Sequence, residues 1–246
     1  MHKVCLIGGN GFIGTNLQAV LKNEFETFSF DKKNFKNSKN FIEGDVTNLA
    51  TLEEGLNKNF DFLINLAAEH KDNVSPKSLY YDVNVQGSIN ICNVAKKLNI
   101  NNIVFLSSVA IYGFSKTPCD EDSEKKPFND YGKTKLEAEK VFLSWQKESP
   151  LERKLIIIRP TAVFGLNNRG NIFNLINQLR KLSFFMIGNG SNKKSIAYVE
   201  NLSAFIKHTL NLRNGYHIFN YVDKPDFSMK NLVNLIKKTL GVKSKF

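Results

Sequence analysis

The residues best suited to chemistry are a tyrosine and a lysine four positions apart, Tyr131 and Lys135. The surrounding residues 129–145 are rich in good helix formers, and positions i and i+4 of a helix lie on one face. A free phenol has a pKa of about 10, and a nearby ammonium favours the phenolate. Tyr131 could then exchange a proton with a substrate hydroxyl, as hydride-transfer chemistry requires. Because such a pair is also typical of a solvated helix face, the interpretation depends on the rest of the chain.

A glycine-rich turn lies near the start of the chain. The apolar run 4–7 leads directly into glycines at positions 8, 11 and 14, and a helical pattern begins at Phe12. Such a turn lets a diphosphate rest on a helix N-terminus. A second short strand ends at Asp31, where a carboxylate accepts hydrogen bonds from an adenosine ribose and repels a 2′-phosphate. The pattern predicts dinucleotide binding and favours NAD over NADP, although the adjacent Lys32 and Lys33 weaken that preference.

Strand-like apolar runs alternate with helical patterns along the first two thirds of the chain. The predicted strands are residues 4–7, 27–30, 41–46, 60–66, 103–106 and 155–158, and the predicted helices include 49–56, 78–98 and 129–145. This alternation predicts an α/β fold with a doubly wound parallel sheet, in which ligands lie beyond the carboxyl ends of the strands. In the long helix, Tyr81 and Val85 are expected to share a face with Ile89 and Val94.

The composition changes after Phe164, where asparagine-rich loops and shorter apolar runs begin. We therefore expect a dinucleotide-binding domain with the catalytic residues at 1–164. Residues 165–246 are expected to form a small substrate lobe that holds the substrate over the cofactor, with some segments returning to the first domain.

Composition and charge narrow the function classes. With 42% hydrophobic and 23% charged residues, the 246-residue chain has the composition of a soluble globular protein, and it has no apolar run long enough for a transmembrane helix. The net charge of +11 suggests an anionic partner, but the lysine pairs are scattered and do not indicate nucleic acid. Cys5, Cys92 and Cys119 lack metal-ligand spacing, which predicts reduced thiols, no metal site and a cytoplasmic location.

Several motifs together resemble one family. The glycine turn, Asp45-Val46, Ser107-Ser108, Tyr131-x-x-x-Lys135 and Arg159-Pro160 resemble the extended short-chain dehydrogenase/reductases, and among them the NAD-dependent sugar epimerases and dehydratases. The resemblance implies a Rossmann-type fold, NAD as the cofactor and a sugar substrate. Segments 66–76, 78–87 and 220–226 resemble more narrowly the bacterial epimerases that invert C4 of N-acetylglucosamine linked through diphosphate to undecaprenol, for surface polysaccharide synthesis.

The resemblance implies a role for each matching residue. Tyr131 is the acid/base, Lys135 lowers its pKa and holds the nicotinamide ribose, and Ser108 hydrogen-bonds the reacting hydroxyl. Ser107 and Lys194 are expected to contact the substrate together with Ser108. The implied cofactor-binding residues, besides Tyr131 and Lys135, are Gly8, Gly11, Phe12, Ile13, Gly14, Asp31, Asp45, Val46, Leu66, Ala67, Ala68 and Pro160. For Ser108 and Asp45, capping of the following helix or turn is the alternative role.

Two departures from the family pattern concern the carrier of the sugar. Nucleotide-sugar epimerases commonly have an asparagine where this chain has Ala162, and the usual basic residue of the late glycine segment is here Lys194 beside Lys193. We therefore expect C4 epimerisation of an N-acetylhexosamine on a diphosphate carrier, with undecaprenyl diphosphate favoured over UDP. Family members usually run well beyond 246 residues, so the substrate lobe is expected to be truncated.

Other functions stay open. A 4-keto sugar reductase would use the same residues but would consume reduced cofactor. A 4,6-dehydratase is disfavoured, because those enzymes have an Asp-Glu pair where this chain has Val109-Ala110. A non-catalytic dinucleotide-binding protein is the alternative from another class. The resemblance further implies a homodimer and, for a lipid carrier, peripheral contact with the inner membrane surface.

Overall fold

The computed structural model describes residues 1–34, 40–71, 73–115 and 117–241. The strands are β1 (His2–Ile7), β2 (Phe25–Asp31), β3 (Phe41–Glu43), β4 (Phe62–Asn65), β5 (Asn102–Leu106), β6 (Lys154–Pro160), β7 (Ala162–Phe164), β8 (Lys193–Lys194), β9 (Ile196–Tyr198), β10 (Gly215–Tyr221) and β11 (Phe227–Ser228). The helices are α1 (Phe12–Leu21), α2 (Leu49–Leu56), α3 (Ser78–Tyr81), α4 (Gly87–Lys97), α5 (Asp130–Lys147), α6 (Asn171–Arg180), α7 (Val199–Thr209) and α8 (Met229–Leu240). A π-helical turn (Asp82–Gln86) joins α3 to α4, and a 3₁₀ turn (Val109–Tyr112) follows β5.

Seven parallel strands form the central sheet in the order β10-β6-β5-β4-β1-β2-β3. The predicted doubly wound α/β fold is confirmed. The strand order reverses between β1 and β4, and such a switch point opens a crevice at the carboxyl ends of the strands. The sequence interpretation included six of these strands and missed β10.

The sheet is covered on both faces because its strands are apolar on both sides. Along β1, Cys5 and Ile7 pack into the core beneath α2, α4 and α5, whereas Val4 and Leu6 pack into the core beneath α1 and α7. All seven residues of β6 are buried. Such doubly buried strands read in the sequence as continuous apolar runs, which is why they could be recognised.

The predicted helix 78–98 is a continuous helical segment with one irregular turn. The π turn shifts the phase of the helix, so Tyr80 is 6% exposed while Tyr81 is 50% exposed. The prediction that Tyr81 shares the buried face with Val85 is therefore wrong, because it assumed an unbroken α-helical period. Inside the π turn, the side-chain amide of Asn84 donates to the Glu69 carbonyl at 3.0 Å and to Thr134 Oγ1 at 3.0 Å.

Some residues after 164 pack on the central sheet and α1, and others form a separate small apolar cluster. Helix α7 packs on α1, and β10 adds an edge strand to the main sheet beside β6. Separately, α6 and α8 form a small apolar cluster with Phe184, Met186 and Phe227. The boundary at 164 stays a prediction, and residues 242–246 of the predicted lobe lie outside the described part of the chain.

Within the described ranges, none of the helices combines the length and apolar character needed to cross a bilayer. Cys5 and Cys92 are buried, and burial raises the pKa of both thiols.

Candidate active site

The glycine turn connects β1 to α1. Gly8 has a φ of +80°, and a Cβ there would lie 2.8 Å from the backbone nitrogen of Ala67. A Cβ on Gly14 would lie 2.5 Å from the Gly9 carbonyl oxygen. Gly11 precedes α1 in an extended conformation and has no side chain that could cap the helix. The first N–H groups of α1 are thus left for an anionic ligand, as a diphosphate-binding turn requires.

Asp31 lies beside this turn at the end of β2. The backbone N–H of Asn10 donates to Asp31 Oδ2 at 3.0 Å, and the N–H of Lys32 donates to Oδ1 at 2.8 Å. These bonds orient the carboxylate at the rim of the cleft. The ammonium of Lys32 lies 2.8 Å from Asp45, so its charge is shared with a carboxylate. This pairing reduces the expected attraction of Lys32 for a 2′-phosphate.

A cavity of about 800 Å³ opens at the carboxyl edge of the sheet. Most of the predicted residues line it: Gly8, Gly11, Phe12, Ile13, Gly14, Asp31, Val46, Leu66, Ala67, Ala68, Ser107, Ser108, Tyr131 and Lys135. The volume lies in the upper range of cofactor pockets. The close-approach glycines, the open helix N-terminus and the carboxylate of Asp31 therefore fit a dinucleotide.

Tyr131 and Lys135 lie on the first turns of α5, whose start is fixed by a side-chain cap. Asn129 accepts a hydrogen bond from the N–H of Gly132 at 2.8 Å. A Cβ on Gly132 would lie 2.6 Å from the carbonyl oxygen of Ala110, so this end of α5 packs directly on the 3₁₀ turn after β5. Ser108 precedes that turn and accepts from the N–H of Ala110 at 3.1 Å. The predicted capping role of Ser108 and its place in the cleft thus coexist.

Tyr131 and Ser108 lie close together in the lining of the cavity. Burial raises the pKa of Tyr131 above its ordinary value, and the nearby Ser108 side chain opposes that rise. The lowering of this pKa by Lys135, expected from the sequence, stays a prediction. Burial lowers the pKa of Lys135 itself to about 7, with Glu139 opposing the shift. The ammonium nitrogen lies 4.2 Å from the centre of the Phe105 ring.

Ser107 and Ser108 have different surroundings although they are neighbours. Ser107 is 3% exposed, and its hydroxyl donates to Glu139 Oε1 at 2.5 Å. This bond directs the hydroxyl towards the protein interior. The substrate contact expected of Ser107 stays a prediction, and the structure gives its hydroxyl a second partner that the sequence did not indicate.

Three predicted site residues are not among those that line the cavity: Asp45, Pro160 and Lys194. Asp45 pairs with Lys32 and accepts from the N–H of Thr47 at 3.0 Å in the turn before α2, whereas the side chain that caps α2 is that of Asn48. Burial raises the pKa of Asp45, but the contacts with Lys32 and Thr47 lower it by more, so the pKa lies below its ordinary value. Lys194 is an exposed residue of β8. The ligand contacts of these three residues stay predictions.

The sequence analysis missed several residues that line the cavity, among them Glu69, Thr161, Val163, Asn168 and Asn171; Ala162 and His70 were considered only as a departure and as a nearby loop residue. Thr161 and Val163 follow the carboxyl end of β6, so the rule that ligands bind at strand ends could have found them. The positions of Asn168 and Asn171 depend on how the later segments fold back over the sheet.

Comparisons with known proteins agree with this site. The model of the NAD dependent epimerase/dehydratase family matches residues 4–221. A curated relative from Escherichia coli O157:H7 is 46% identical over 98% of this chain and 73% of its own length. It is named N-acetyl-alpha-D-glucosaminyl-diphospho-ditrans,octacis-undecaprenol 4-epimerase. A UDP-glucose 4-epimerase from Vibrio cholerae is 30% identical over 81% of this chain and 63% of its own length.

A solved structure has the same architecture. MoeE5 in complex with UDP-glucose and NAD superposes with a TM-score of 0.86 at 25% identity, over 97% of this chain and 82% of that chain. The predictions of fold, family and NAD as cofactor are confirmed by the family match together with this superposition. With the glycine turn, the carboxylate after β2 and the Tyr131–Ser108 pair around one cleft, the chain belongs to the NAD dependent epimerase/dehydratase family.

Proposed function

We propose that this protein is an NAD-dependent sugar 4-epimerase that acts on an N-acetylhexosamine carried by a diphosphate, with undecaprenyl diphosphate as the favoured carrier. The observation that carries the proposal is that Tyr131 and Ser108 line the same cavity as the glycine turn. A phenol there can exchange a proton with a sugar hydroxyl. The 46% identity to an enzyme named for this reaction supports the substrate class.

NAD, when bound, supplies reversible hydride acceptance at the sugar carbon. The glycine turn and the N-terminus of α1 would hold its diphosphate, and Asp31 would accept hydrogen bonds from its adenosine ribose. Leu66, Ala67 and Val46 contribute apolar walls to the same cleft. Because epimerisation regenerates the oxidised cofactor in each cycle, turnover should continue without added NAD.

Tyr131 acts twice in the proposed reaction. It takes the proton of the C4 hydroxyl as the 4-keto sugar forms, and it returns a proton after the sugar has turned over in the site. Ser108 lines the cavity near the phenol and would orient the reacting oxygen. Lys135 lies one helical turn further along α5. With a pKa of about 7, it can hold a positive charge behind the phenol at neutral pH.

The proposed lipid carrier is supported by the segment after β6. Ala162 and Val163 line the cleft where nucleotide-sugar epimerases commonly have an asparagine. An alanine cannot hydrogen-bond a nucleotide or its diphosphate through its side chain. Asn168 and Asn171 are the amide side chains that line this region of the cavity from the following segment, and they are candidates for contacts to the sugar.

We also propose peripheral contact with an anionic membrane surface, and a homodimer as in the family. The connection after α6 exposes Leu182, Phe185 and Ile187 beside the cations Arg180 and Lys181, a combination that suits a membrane surface. The membrane contact is tested by flotation with anionic vesicles, and a protein that does not float with them would contradict it.

The homodimer is tested by sedimentation velocity, and a monomer at micromolar concentration would contradict it.

The function is tested by incubating the full-length protein separately with undecaprenyl-diphosphate-linked N-acetylglucosamine and with UDP-N-acetylglucosamine, and by resolving the product sugars. We expect conversion of the lipid-linked sugar to its N-acetylgalactosamine form without added cofactor. Conversion of the nucleotide sugar alone would refute the lipid carrier. Net oxidation of added NADH or NADPH with a 4-keto sugar would instead identify a reductase.

A further inference from the structure

Helix α5 continues the line of Tyr131 and Lys135 with a buried acid. Glu139 lies a further four residues along the helix, so the three side chains follow one another at steps of i+4 on one face. Glu139 is 6% exposed and its partner Arg159 on β6 is 2% exposed. Neither residue has a role in the proton transfer described above.

The contact between Glu139 and Arg159 is a two-point ion pair. Arg159 Nε donates to Glu139 Oε1 at 2.9 Å, and Nη2 donates to Oε2 at 2.7 Å. Oε1 also accepts from the hydroxyl of Ser107 at 2.5 Å. Charge-assisted bonds in this paired geometry fix orientation as well as supplying energy. The carboxylate is therefore held rigidly behind Lys135.

The ion pair continues into a chain of polar contacts. Arg159 Nη1 donates to the hydroxyl of Tyr112 at 2.6 Å and to the carbonyl of Glu121 at 3.1 Å. The Tyr112 hydroxyl donates in turn to Asn220 Oδ1 on β10 at 2.8 Å. The N–H of Asn220 donates to Glu121 Oε1 at 2.6 Å. One network thus joins α5, β6 and β10 with Tyr112 and Glu121.

A buried ion pair is an inefficient way to stabilise a fold. Removing two charges from water costs several kcal/mol for each ion. Proteins in which apolar residues of about the same volume replace a buried ion pair are often equally stable. We therefore look for the role of the buried Glu139 carboxylate in its effect on neighbouring residues. Its nearest functional neighbour along the helix face is Lys135, whose charged form burial disfavours.

We propose that Glu139, fixed by Arg159 and Ser107, is a positioning residue that keeps Lys135 in its ammonium form and in place behind Tyr131. The inference rests on the proposed function for its catalytic meaning, but its physical content concerns the charge of Lys135 alone. The opposing effect of Glu139 on the pKa of Lys135 supports it. The other charged or titratable groups in or beside the network are Tyr131, Arg159, Tyr112, Glu121 and Tyr216.

The test is Glu139→Gln, which removes the charge and keeps the shape. Lysine ε-carbon NMR of protein with ¹³C-labelled lysine, with the Lys135 signal assigned by its loss in Lys135→Met, gives the titration midpoint directly. We expect the midpoint to fall, by about 1 pH unit or more, because an opposite charge one helical turn away favours the ammonium. The alkaline limb of kcat should move to lower pH in the same direction.

Glu137→Gln is the matched control, because Glu137 is exposed on the same helix. Its Lys135 midpoint should equal that of the wild type. If Glu139→Gln does not fold, the double variant Glu139→Gln/Arg159→Met removes both buried charges and should show a smaller fall in the same direction. A wild-type midpoint in either folded variant would overturn the inference. If the midpoint falls in Glu139→Gln but the wild-type protein turns over neither sugar substrate, the inference is upheld and the proposed function is refuted.

Discussion

Tyr131→Phe is expected to lower kcat of the epimerisation by about 10³-fold, within the range for loss of a positioned acid/base. The substitution removes one oxygen from a side chain at the cleft wall and leaves the ring in place. Ser108 loses its phenol partner but keeps its bond to the N–H of Ala110, so the local backbone should be unchanged. Single-turnover and steady-state rates with the lipid-linked sugar give the effect on the chemical step.

Tyr81→Phe is the control for this experiment, because Tyr81 is half exposed on the π-turn side of the long helix and lies outside the cavity lining. Its kcat should match that of the wild type. NAD content and the urea midpoint of Tyr131→Phe should stay close to wild-type values, which separates lost chemistry from lost folding. Near-normal turnover by Tyr131→Phe would refute the acid/base role.

Lys135→Met is expected to lower kcat by about 10²-fold or more and to raise the free energy of unfolding at the same time. Lys135 is 2% exposed, and its pKa falls from 10.5 to about 7 in the folded protein. The folded state therefore disfavours the ammonium that the unfolded chain carries. Methionine fills a comparable volume without a charge, so the gain at pH 6 should be on the order of 2 kcal/mol.

The sign of the pH dependence distinguishes this explanation from a general packing effect. Below pH 7 the unfavourable contribution of Lys135 is fully present, and it is lost as pH rises from about 7 towards 10.5. The stability difference between Lys135→Met and the wild type should thus shrink between pH 6 and pH 10 in urea titrations. Lys133→Met, an exposed position of α5, should show no such trend. A difference that stays constant with pH would contradict the burial effect.

The parts of the fold that the sequence predicted are those with local signals. Strand β6 contains Leu155–Ile158, four apolar residues that are buried on both faces of the sheet and could be read without any knowledge of their neighbours. Strand β10 gave no such signal, because it is an edge strand with only partly buried side chains. Its place in the sheet depends on pairing with β6, about 60 residues earlier in the chain.

The site follows the same division. The glycine turn, Asp31, Ser108 and the Tyr131/Lys135 pair could be predicted, because each depends on a strand end or on helical spacing. The effect of each neighbouring group on the pKa of Tyr131 could not be predicted. Sequence spacing shows which groups are close together, but it does not show how deeply they are buried. Burial disfavours the ammonium of Lys135 and raises the pKa of Tyr131, and Ser108 opposes the latter effect.

The π turn has a consequence for how the chain tolerates changes in length. Asn84, within the π turn, donates to both Glu69 and Thr134. Deleting a single residue between Asp82 and Gln86 would close the widened turn to ordinary α-helical winding and change the position from which Asn84 makes these two contacts. The bridge to the residue beside Lys135 would then be lost. Surface loops can absorb insertions and deletions, whereas this helix must keep its exact residue count for the cleft to retain its shape.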